Sequence, residues 1–116
     1  MNIKYHPGLT VDKWSSLTFS QQILNVVSEL NRCKNWIKDS HPLLMRESLA
    51  RALELIDLTI ACAPRPNAVK ELLRCREALS GFYVAPSVSY QEYLLTMRSL
   101  MDMDPTASAL KTSMAA

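Results

Sequence analysis

Apolar residues recur at steps of three and four along four separate runs of this chain, and each run is closed by a cluster that breaks helices. Phe19, Ile23, Val26, Val27, Leu30, Cys33 and Ile37 make one such stripe, with Ser28, Asn31, Lys34, Asn35 and Lys38 on other faces. That spacing is the signature of an amphipathic α-helix. The chain has only 2 glycines in 116 residues, too few turn formers for an all-β sandwich or barrel, and no glycine-rich phosphate loop.

The boundaries follow from caps and prolines. Thr18-Phe19-Ser20-Gln21 is a capping box that starts a first helix over 19–38, although Leu17 and Gln22 do not complete a hydrophobic staple. Asp39-Ser40-His41-Pro42 stops it and begins a second helix over about 42–61, because proline in a first turn lacks only a donor that would be unpaired there. The second core stripe is Met45, Leu49, Leu53 with Ala52, Ile56 and Ile60, widened by Leu55 and Leu58. Cys62-Ala63-Pro64-Arg65-Pro66-Asn67 is a breaker. Asn67 is the expected N-cap of a third helix, 67–80, which buries Ala68, Leu72, Cys75 and Leu79 and ends with Gly81 at a left-handed C-cap. Ser89-Tyr90-Gln91-Glu92 is a second capping box and opens a fourth helix, 89–103, with Tyr90, Tyr93, Leu94, Met97, Leu100 and Met101 at core spacing; Asp104-Pro105 closes it.

Residues 1–17 read as an irregular arm with a turn at His6-Pro7-Gly8, pinned by Trp14 and Leu17, and residues 106–116 as a frayed tail. The expectation is one all-α domain over 1–116, an antiparallel four-helix bundle flanked by that arm and tail. Hydrophobic residues at 48% and charged residues at 21% suit a globular chain. No run reaches the roughly 18–20 apolar residues that span a bilayer, and charges at Lys4, Asp12 and Lys13 interrupt any signal-peptide core. Three cysteines in helical context read as small buried hydrophobes in a reducing compartment. A cytoplasmic protein with no membrane association is expected.

Catalytic and metal-binding patterns are sparse. His6 and His41 stand apart in sequence, the cysteines form no Cys-x-x-Cys, and Glu29-x-x-Arg32, Glu54-x-x-Asp57 and Glu71-x-x-Arg74 stand where a di-iron bundle would carry Glu-x-x-His. A cysteine–histidine nucleophile finds no local support, and Glu54 with Asp57 as acid and base competes with charge pairing to nearby Arg51. The chain is therefore expected to be no enzyme and to need no cofactor or metal.

A second stripe is more informative. Gln22, Asn25, Glu29, Arg32 and Trp36 line the first helix; Glu47, Arg51, Glu54 and Asp57 line the second; Lys70, Glu71, Arg74 and Glu77 line the third, with Arg76 beside them. Such stripes are often solvated faces laced by weak ion pairs. Trp36 and the mixture of signs favour a protein interface, and a self-complementary one. The expected subunit interface is Asn25, Glu29, Arg32, Trp36, Arg51, Glu54, Asp57, Arg74 and Glu77. The alternative is a nucleic-acid adaptor using Arg46, Arg65, Lys70 and Arg74, but a net charge of +2 and the lack of interleaved aromatics do not indicate it.

The runs Trp14-Ser15-Ser16-Leu17, 21–32 (Gln21 to Arg32), 51–60 (Arg51-Ala52-Leu53-Glu54-Leu55-Ile56-Asp57-Leu58-Thr59-Ile60) and 71–79 (Glu71 to Leu79) resemble a family of small bacterial conserved hypothetical proteins. That family is similar to the four-helix-bundle proteins encoded in ribosomal-RNA intervening sequences and, more distantly, to the accessory variability determinant of diversity-generating retroelements. The resemblance implies a bundle closed into a homopentamer, with no established enzymatic activity for the close family, its recurrent polar positions being Asn25, Glu29, Arg32, Arg51, Glu54, Asp57, Arg74 and Glu77. The retroelement relative partners nucleic acid through strongly basic surfaces, a pattern from which this chain departs.

Overall fold

A computed structural model describes residues 3–111. Six helices follow one another: α1 (Val11–Ser15), α2 (Phe19–Lys38), α3 (Pro42–Cys62), α4 (Pro66–Val84), α5 (Tyr90–Met101) and α6 (Pro105–Ala109). The fold is all-α, with no strand among the described residues.

The first long helix forms as its sequence dictates. Thr18 Oγ1 accepts from the Gln21 N–H at 3.1 Å, and the Gln21 side chain accepts from the Thr18 N–H at 2.9 Å, satisfying two donors the helix itself leaves open. Its apolar stripe faces inward, with Ile23, Val26, Val27, Leu30 and Cys33 buried. The α3 core includes both residues expected to widen its stripe. Leu55 and Leu58 are buried with Met45, Leu49, Ala52 and Ile56, whereas Leu53 and Ile60 are only partly covered at its edge.

Neighbouring helices are tied by specific bonds. Halfway along α2, the Leu30 carbonyl accepts from the Tyr93 hydroxyl near the start of α5 at 2.5 Å. At the start of α2, Ser20 donates to Asp104, beyond the end of α5, at 2.9 Å. The two helices therefore run in opposite directions. Arg46 Nε donates to the Tyr83 carbonyl and Arg76 to Asp57, which sets α3 and α4 antiparallel as well.

Three expected boundaries are corrected. α4 begins at Pro66, with Arg65 rather than Asn67 as an N-cap that makes no side-chain bond. It also runs through Gly81, whose backbone is not left-handed, and stops only at Ala85. The stop belongs to Pro86, which disfavours a helical conformation at the residue before it. The fourth helix ends at Met101, and the segment expected to fray from residue 106 instead folds as α6 up to Ala109. Asp104 caps it by accepting from the Ala107 N–H at 3.0 Å, Ala107 is buried, and Lys111 pairs with Asp102. Residues 1–2 of the expected arm and 112–116 of the expected tail lie outside the described residues.

The arm contains more structure than its composition suggests. Pro7-Gly8 makes a tight turn in which the His6 carbonyl accepts from the Leu9 N–H at 3.1 Å, and Gly8 takes a φ of 83° that its missing side chain permits. α1 then carries Trp14 into the core, where the indole N–H donates to Thr59 at 3.0 Å. The buried Gln22 amide donates to the Trp14 carbonyl at 2.9 Å, so the residue that fails the staple holds the arm by a hydrogen bond.

Asp104 gives a direct test of the α6 assignment. Asp104→Ala removes both the α6 cap and the Ser20 bond, and should lower stability by about 1–2 kcal/mol in urea unfolding. A frayed segment would leave the midpoint unchanged.

Candidate functional site

Part of the polar stripe converges at one place. Glu54, on α3, accepts from three successive backbone N–H groups of the arm: Lys4 at 2.7 Å, Tyr5 at 3.1 Å and His6 at 3.0 Å. His6 Nδ1 lies 2.9 Å from the same carboxylate, and His6 Nε2 lies 3.6 Å from Glu29 on α2. The imidazole thus stands between two carboxylates from two helices. Both are well covered, with 9% of the Glu54 side chain and 12% of the Glu29 side chain exposed. Arg32 approaches Glu29 Oε2 at 3.6 Å, and that oxygen has no hydrogen-bond partner among the described residues.

This arrangement is a latch. Three consecutive amides curl around one carboxylate, the anion-binding geometry that backbone turns offer. Burial pushes the Glu54 carboxyl up, but the Lys4 N–H, the His6 ring and the Tyr5 N–H pull it down by more, leaving it below the usual value of 4.5. Both Glu54 oxygens are occupied by donors. The carboxylate is therefore engaged in holding the arm and is not presented as a base.

The other expected interface residues separate. Asp57 turns to α4, where Arg76 grips it at 2.5 and 3.4 Å. This bond raises the Arg76 guanidinium further, against the opposing effect of burial. Arg74 pairs with Glu71 one turn away at 2.7 Å. Asn25 donates to the Gln21 carbonyl at 2.8 Å, and half-buried Trp36 meets His41 edge-on with centroids 5.6 Å apart. Arg51 and Glu77 are exposed and have no ion pair among the described residues. Of the nine, only Glu29, Arg32 and Glu54 are drawn into one cluster.

His6 is the member of this cluster that no sequence pattern pointed to. Its distance along the chain from Glu54 is long, and no local motif announces the contact. Arg76, which stands beside the stripe in sequence, proves to be the partner of Asp57 and takes no part in the cluster.

The four cations of the nucleic-acid alternative do not form one patch. Arg46 lies against the C-terminal end of α4 through Tyr83, while Arg65 caps its N-terminus, about 27 Å away at 1.5 Å per residue. Arg74 is already paired, which leaves Arg65 and Lys70 as exposed cations at the N-terminal end of α4, five residues apart and so on different faces.

Two of the three thiols are enclosed, Cys62 being only partly covered. Burial pushes Cys33 up to about 11 and Cys75 up to about 12, disfavouring the nucleophilic thiolate. Among the described residues no group of three or more His, Cys, Asp or Glu could hold a metal, and no helix is long and apolar enough to cross a membrane. A largely apolar groove, lined by Trp36, Ile37, His41, Met45, Pro86 and Val88, opens where two interhelical loops meet. No family model matches the chain, and neither a curated protein nor a solved structure matches it.

Glu54→Gln keeps the side-chain volume and removes the charge. Amide protection at Lys4–His6 should fall by roughly tenfold or more, given about 1.5–3 kcal/mol for hydrogen bonds to a charged group, while core amides of α2 and α3 keep theirs. Because the folded pKa is depressed, the latch is intact above 4.5 and is lost as pH falls through the lower folded value. Hydrogen exchange at the arm amides measures both effects; protection unchanged by either would remove Glu54 from the role.

Proposed function

We propose that α2, α3, α4 and α5 form an antiparallel four-helix bundle and that the chain acts as a non-enzymatic, cytosolic, homo-oligomeric interaction or scaffold module. The observation that carries this reading is the set of large apolar side chains left on the outside. Leu43 is 72% exposed, Val84 77%, Leu73 49% and Tyr83 38%, while Leu95 on α5 is 64% exposed and Leu110, after α6, 39%. Four of these six lie on α3 and α4, and the Arg46–Tyr83 bond puts Leu43, Tyr83 and Val84 at the same end of that pair. Single exposed apolar residues are ordinary, but a group along one helix pair marks a surface that another protein covers.

The charged surface supports self-association over phosphate binding. Exposed Arg51, Lys70 and Glu77 mix both signs without pairing within the described chain, which suits a self-complementary contact. The acidic residues Glu29, Glu54 and Asp57 hold the chain together internally, so the contact surface in this reading lies away from the latch.

Light scattering on the purified chain at low and high salt tests the reading. A mass of two or more chains at both salt concentrations is expected, because the apolar part of the contact is little affected by screening. A monomer at both would overturn it.

A further inference from the structure

The outer face of α4 has an internal symmetry. Lys70, Leu73 and Glu77 follow one another at steps of three and four, so they share one exposed line on the helix, which also carries Arg74, held by Glu71 of its own turn at 2.7 Å. Leu73 stands at its centre with 49% of its surface in solvent. Lys70 and Glu77 flank it with opposite charge, two turns apart, and neither makes an ion pair among the described residues. Apart from the Arg74–Glu71 pair, nothing within the described chain uses this line.

We propose that this face pairs with the same face of a second copy, α4 against α4 in antiparallel order, about a two-fold axis between residues 73 and 74. The inference rests on the self-association proposed above and gives it a location and a symmetry. In this arrangement Lys70 of each copy meets Glu77 of the other, so one symmetry operation satisfies four charges. Near the axis each Leu73 packs against the other Leu73 and the stem of the other copy's Arg74, whose guanidinium stays with Glu71 of its own chain. A parallel pair would set Lys70 against Lys70 and Glu77 against Glu77, so the charges select the antiparallel order.

Two further features fit the same axis without adjustment. Val84, 77% exposed, lies about 16 Å from the axis along the helix. The symmetry brings it to the start of the second α4, where Ala63, Pro64, Pro66 and Val69 line a shallow concavity. Arg65 of each copy likewise arrives near the C-terminal turn of the other α4, where Arg46 already meets the Tyr83 carbonyl and the helix dipole favours a cation. An isologous contact of this kind closes as a dimer, in contrast to the five-fold ring that the family resemblance implies.

The test is a charge swap on the full chain, read by sedimentation or light scattering over a concentration series, with circular dichroism as a check on folding. The wild-type chain should be a dimer. K70E or E77K alone sets like charges against each other twice, and should raise the dissociation constant roughly tenfold or more. The K70E/E77K double variant restores opposite charges and should recover most of that loss. Leu73→Asp should dissociate the pair while leaving helix content unchanged, because the residue lies at the surface. Single variants that dissociate with no recovery in the double variant would overturn the antiparallel register. An assembly unaffected by all four variants would overturn this face while leaving self-association standing. A wild-type monomer would overturn both.

Discussion

Covering α3 is the constraint on which the rest of the structure depends. Its buried residues, Met45, Ser48, Leu49, Ala52, Leu55, Ile56, Leu58 and Thr59, extend around about half of the helix. No single neighbour can cover so wide an apolar surface. α2 takes one side, α4 another, and α1 with its arm closes the third. This is why Trp14 must reach Thr59 and why the arm is held by hydrogen bonds to α2 and α3 rather than left in solvent. The buried Thr59 hydroxyl is satisfied twice, accepting from the indole and donating to the Leu55 carbonyl at 2.7 Å. Such completeness matters, because a buried polar group without partners is costly.

The acidic side chains serve this same closure. Glu54 collects backbone donors that the arm, being neither helix nor strand over residues 4–6, could not satisfy by itself. Asp57 binds α3 to α4 through Arg76, and Asp104 joins the start of α2 to α6. A stripe of alternating charges therefore splits into intramolecular ties and a remainder. That remainder includes Glu47, Arg51, Lys70 and Glu77, which stand on the surface with exposed apolar residues such as Leu43, Leu73, Val84 and Leu95.

Much of the helical layout was legible because it rests on local chemistry. The Thr18 box and the Pro42 first turn act within four residues and stand where the sequence puts them. Of the box expected at Ser89-Tyr90-Gln91-Glu92, the structure shows the Ser89 hydroxyl accepting from the Glu92 N–H at 3.3 Å. The errors came from local signals overruled by their context. Gly81 can adopt a left-handed turn, yet the residues after it continue the helix until Pro86 sets the stop. The Ala- and Ser-rich stretch after Asp104 lacks a strong apolar period, but one buried residue, Ala107, and one cap are enough to dock it.

Periodicity and capping by themselves determined that the chain is all-α and which residues of its long helices turn inward, because a helix repeats every 3.6 residues and its ends need partners within a turn. Only the tertiary structure decided that His6 lies between Glu29 and Glu54, that Asp57 belongs to Arg76, and that Arg46 and Arg65 stand at opposite ends of α4. Those pairings join residues far apart in the chain, and the direction in which each helix packs, which no local pattern encodes, sets which charges meet and which remain exposed.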